Sequence, residues 1–102
     1  MNPLQMAFFA SALLFFFGML TVVVRRTFIG ILIGVELLLN GAGLAVVSAG
    51  QLTTAGNAEA QAIALMVMGF AAAEATLALA IILIVFRRFG SINVDSVSKL
   101  RG

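Results

Sequence analysis

The hydrophobic and polar positions divide the chain into three long apolar runs separated by short polar breaks. The first run, Leu4 to Val24, has no charge and stops at Arg25-Arg26. The second, Phe28 to Ala49, holds a single acid, Glu36. The third, Ala60 to Phe86, also holds a single acid, Glu74, and stops at Arg87-Arg88. At 1.5 Å rise per residue, a helical run of about 20 residues covers the roughly 30 Å hydrocarbon core of a bilayer. The pattern predicts an all-α membrane protein, one domain over residues 1–102. Its three transmembrane helices fall at about 4–24, 28–49 and 60–86, followed by a polar tail at 89–102.

The breaks predict how the helices connect. Between Val24 and Phe28 lie only Arg25, Arg26 and Thr27, with Thr27 placed as a helix cap. So short a link makes the first two helices antiparallel neighbours. The interior loop Gln51–Ala60 carries one acid and no base. The third run is longer than a span needs, which predicts tilt, a frayed start or a local bulge. Gly30 and Gly34 have the spacing that lets membrane helices approach closely, a weak signal on its own. The first run reads as scaffold with no inward polar group. The tail is expected along the surface or against a partner.

Composition sharpens this picture. The chain is 63% hydrophobic with a mean hydropathy of +1.20. A soluble domain of this size buries only about 60–70% of its surface, too little to hide such a sequence. A cleaved signal peptide would need a basic start, and no Lys or Arg precedes the first run. With no Cys and no His, disulfides, thiolate metal sites and imidazole chemistry are excluded from this chain. The net charge of +2 is not a nucleic-acid signal, because four of the six basic residues are the two Arg pairs at span ends. With three spans both pairs fall on one side. The positive-inside rule then puts the N-terminus outside and the C-terminus in the cytoplasm.

The candidate chemistry is the two lone acids. Intramembrane carboxyls are costly and by default mark an ion or proton path. The bland alternative, a protonated acid that glues helices, weakens when two acids sit on separate helices. Glu36 follows Arg26 by about 15 Å of helix, and Glu74 precedes Arg87 by about 20 Å. The two therefore sit at similar depth, and touching helices have axes about 8–10 Å apart. Inward carboxyls at that separation link directly or through water. Asn40, four residues from Glu36, shares its face, which should point at protein or water. No Lys or Arg of this chain lies at that depth, so any pairing cation comes from another subunit. Two acids without His or Cys make no transition-metal site, whereas Na⁺ in place of H⁺ stays open. Met66 and Met68 read as packing, as do Gly69 and the alanines from Ala71 to Ala75.

These residues resemble a known family. Gly34-Val35-Glu36-Leu37-Leu38-Leu39-Asn40 is similar to the second-helix signature of the small K (ND4L-type) subunit of respiratory complex I. Gln61, followed by Glu74 within Ala71-Ala72-Ala73-Glu74-Ala75, resembles that subunit's third helix. Val94 to Gly102 resembles its tail. Ala60 and Met68-Gly69-Phe70 depart from the family pattern, and the Gln51–Ala60 loop is somewhat long.

The resemblance implies a non-redox subunit of a proton-translocating NADH:quinone oxidoreductase. Glu36 and Glu74 would be its proton relay, with Asn40, Gln61, Arg25 and Arg26 in support. It implies A-, J- and N-type membrane subunits as neighbours. No cofactor is expected on this chain; NADH, FMN, Fe–S clusters and quinone would bind other subunits. The expected location is the prokaryotic plasma (inner) membrane rather than an organellar one.

Rival readings are a C-type subunit of a multisubunit Na⁺/H⁺ antiporter and the equivalent subunit of an F420H2- or ferredoxin-dependent complex. A rotor-ring proteolipid needs a hairpin with one acid. A structural or pore-forming protein would tolerate loss of both acids.

Overall fold

The computed structural model describes residues 1–52, 57–90 and 92–95. Three α-helices, each long and apolar enough to cross a membrane, account for nearly all of them. Helix α1 spans Pro3–Val24, α2 spans Phe28–Gly50 and α3 spans Asn57–Phe89. Together they form a body of 56 × 25 × 17 Å with α2 packed against both neighbours.

Helices α1 and α2 start where local chemistry satisfies the free N–H groups of a first turn. Asn2 caps α1: its side chain accepts from Gln5 N at 2.8 Å, and Gln5 Oε1 accepts from Asn2 N at 3.1 Å. Pro3 occupies the first turn, where no N–H is needed. Helix α1 stops because Arg25 turns extended, and Thr27 caps α2 by accepting from Gly30 N at 3.0 Å. The predicted cap is therefore formed.

Helix α3 begins at Asn57, ahead of the apolar run. Sequence reasoning assigned 57–60 to the loop because the stretch is polar. Glu59 instead lies in the first helical turn and Arg87-Arg88 in the last, each at the helix end whose dipole favours its charge. Across the break, Gln51 Nε2 donates to Asn57 Oδ1 at 2.9 Å. The rest of the predicted loop, 53–56, lies outside the described residues, as do Ser91 and the tail from 96 onward. The predicted bulge is absent: α3 is unbroken α-helix, and at roughly 50 Å it exceeds the hydrocarbon thickness.

The seam between α1 and α2 is made of small residues. Ser11 and Gly18 of α1 and Gly34 and Gly41 of α2 are all buried there. A Cβ on Gly18 would lie 2.9 Å from Gly34 O, and one on Gly34 would lie 2.9 Å from Val22 N. The two backbones touch, which only glycine allows. Ser11 Oγ donates to Gly41 O at 2.8 Å across the same seam. This corrects the reading of the first span as free of inward polar groups. Gly30 does not join the seam as its spacing from Gly34 had implied. It packs instead against Arg25 and Thr27 in the turn. The other span hydroxyls bond back to their own helices, Thr21 to Phe17 O, Ser48 to Leu44 O and Thr76 to Ala72 O. That arrangement suits a solvent with no hydrogen bonds to offer.

Candidate functional site: two acids along the second seam

Helix α2 carries Glu36 and helix α3 carries Glu74, and these two helices pack together. Glu74 lines a groove of about 220 Å³ together with Leu32 and Val35 of α2. Val35 precedes Glu36, so the groove that holds Glu74 reaches the turn of α2 that carries Glu36.

Their rotational positions differ. Glu36, Asn40, Gly43 and Val47 follow the 4-3-4 spacing of one helix stripe. Asn40, Gly43 and Val47 line a second groove of about 250 Å³ against Ala64 and Met68. Phe28, Ile31, Leu32 and Val35 line the groove that holds Glu74. Glu74 therefore lines the first groove, whereas Glu36 lies on the helix stripe of the second without lining it, and neither carboxyl is hydrogen-bonded to the other among the described residues.

Their exposure differs too. Glu36 is half-buried, and its Oε1 is sealed inside the chain without a hydrogen-bond partner among the described residues. A buried carboxyl oxygen left unmatched is an uncommon and costly feature. Glu74 is exposed on this chain, as are Asn40 and Gln61. An exposed acid at mid-span needs protein or water against it, because hydrocarbon is a poor host.

The other predicted site residues are spread along the long axis. Gln61 is about 20 Å of helix from Glu74, and the two are not brought together. Arg25 and Arg26 lie in the α1–α2 turn, both exposed. There Arg26 Nη1 donates to Asp95 Oδ2 at 2.9 Å. Two backbone bonds accompany it: Phe28 N donates to Ile92 O and Val94 N to Arg26 O, each at 3.0 Å. Thr27 and Asn93 are thereby paired as an isolated antiparallel bridge. The turn and the end of α3 thus share one side, so the two Arg pairs do as well. Sequence reasoning missed Asp95 as a partner of Arg26 because 69 residues separate them. Among the described residues, no group of three or more His, Cys, Asp or Glu could hold a metal ion.

Comparison with known proteins gives a consistent result. Residues 6–102 match the family described as NADH-ubiquinone/plastoquinone oxidoreductase chain 4L. The whole chain is similar to NADH-quinone oxidoreductase subunit K 1 of Syntrophobacter fumaroxidans, 45% identical over 102 residues and all of both chains. It is also similar to NADH-quinone oxidoreductase subunit K of Nitrosospira multiformis, 41% identical over 100 residues, which is 98% of this chain and 96% of the relative.

Proposed function

Because the chain belongs to the NADH-ubiquinone/plastoquinone oxidoreductase chain 4L family, we propose that it is the K-type membrane subunit of a NADH:quinone oxidoreductase and carries protons through Glu36 and Glu74. The observation that carries this reading is the Glu36 carboxyl, whose sealed Oε1 has no partner within an apolar helix. Among the described residues no hydrogen bond ties it to either neighbouring helix. This suits a carboxyl that exchanges a proton with a mobile partner. Glu74 is exposed on this chain, where a neighbouring subunit would meet it.

The rest of the assignment follows from that role. A-, J- and N-type membrane subunits would cover the Glu74 and Asn40 grooves and supply the cation missing at that depth. NADH, FMN, Fe–S clusters and quinone would bind on other subunits, and this chain would hold none of them. The Arg-bearing end would face the cytoplasm and the N-terminus the outside of a prokaryotic plasma membrane. Asn40 and Gln61 would bind water along the path, and Arg25 and Arg26 would fix its cytoplasmic end.

The test is proton translocation in vesicles containing the assembled complex. Glu36→Gln and Glu74→Gln keep shape and remove the exchangeable proton. Each is expected to depress coupled quinone reduction at least tenfold, in the range set for loss of one proton-transfer group. Wild-type pumping by both variants would end the relay reading.

A further inference from the structure

Helix α2 is held on two sides by different means. Against α1 it is locked by backbone contact at Gly18 and Gly34. Against α3 it leaves open grooves, and a Cβ added at Gly43 would meet nothing within 4 Å. Side-chain packing alone therefore fixes the α2–α3 register weakly.

A polar tie reinforces that register at the arginine end. Gly90, at φ +70°, ends α3 in a left-handed turn that sends the chain back. Ile92–Asp95 then crosses to the α1–α2 turn. It is held there by the two backbone bonds, the Thr27–Asn93 bridge and the Arg26–Asp95 pair. The tie grips the cap and first residue of α2, and Glu36 follows on the same unbroken helix. Its other end hangs from α3, which carries Glu74.

We propose that Ile92–Asp95 is a latch that sets α2 against α3, with Asp95, acting through Arg26, a positioning residue for the proton path. This inference rests on the relay reading of Glu36 and Glu74. A slip of one residue in strand pairing moves the partner by about 3.3 Å, the length of a hydrogen bond. That displacement breaks a water-bridged link between carboxyls on the two helices. The ion pair is solvent-facing, with its side chains 80% and 61% exposed. It therefore acts by selecting the register rather than by strength. Gly90→Ala tests the same latch from a distance: nothing lies within 4 Å of the added methyl, so only the left-handed turn is strained.

The experiment uses the whole complex in proton-tight vesicles. Asp95→Asn is expected to lower proton-coupled quinone reduction about two- to fivefold at normal assembly, the ceiling for an exposed pair. The charge-keeping Asp95→Glu is expected to regain most of it. Thr27→Cys/Asn93→Cys adds the only thiols on a chain that has no cysteine. Paired residues flanked by such bonds have Cα atoms about 4.5 Å apart, within disulfide range. In the Asp95→Asn background, closing that disulfide is expected to restore coupling and reducing it to remove the gain.

A disulfide that does not form overturns the latch, and so does an Asp95→Asn defect that neither rescue repairs. Full activity of Asp95→Asn beside a dead Glu36→Gln overturns the latch alone and leaves the relay standing. Full activity of Glu36→Gln and Glu74→Gln removes the path, and the positioning role with it.

Discussion

The α1–α2 seam and the α2–α3 seam are built to different tolerances within one small chain. The first is a glycine contact, with Gly18 and Gly34 backbone to backbone and Ser11 bonded to Gly41 O. The second buries Ala60, Ala64, Ala71 and Ile82 of α3, is bordered by grooves, and joins the two helices that carry the acids. Bilayers offer no hydrophobic drive for helix association, so close contact and hydrogen bonds must hold a seam. The chain concentrates both in the seam that has no ionisable group. The seam between the helices that carry the acids is instead bordered by open grooves.

This contrast can be broken by substitution. Gly34→Ala should be the most damaging, because its methyl meets backbone at Val22 N and Gly18 O. An overpacking cost of about 1–3 kcal/mol is expected in denaturant titration of the detergent-solubilised protein. Gly43→Ala and Gly69→Ala should be neutral or slightly stabilising, since both sites are open and Ala favours helix. Equal damage at Gly34 and Gly43 would erase the distinction between the seams.

Thr27→Ala should cost about 1 kcal/mol by removing the cap of α2, read in the same titration. The smallest effect is expected of Ser11→Ala, about 0.6 kcal/mol for one interhelical hydrogen bond in a membrane protein. A Ser11 effect larger than that of Gly34 would mean that the first seam is held by its polar bond rather than by close approach.

The helices were legible in the sequence because long uncharged runs bounded by Arg pairs allow little else. Glu36 and Glu74 stood out because each is the single charge in its run, and their similar depth follows from helical rise alone. Their different rotational positions did not, because rotation about α2 depends on which stripe meets which neighbour. Ser11 was passed over because one hydroxyl among phenylalanines and leucines can bond to its own helix as easily as to another. Thr21 and Thr76 do just that. Residues 57–60 read as loop because polarity dominates a pattern count, although a first helical turn welcomes Asn and Glu. The Arg26–Asp95 pair was out of reach, since nothing local announces a partner so far along the chain.

The direct backbone contact between α1 and α2 has a consequence for how movement spreads. Because these helices are clasped at Gly18 and Gly34, whatever displaces Glu36 against Glu74 drags the hairpin as one piece. The outer face of α1, where Phe8, Phe9 and Phe16 protrude, then sweeps through the same distance. A fluorescent or spin reporter placed at Phe16 would thus sense the state of an acid on a helix it does not belong to.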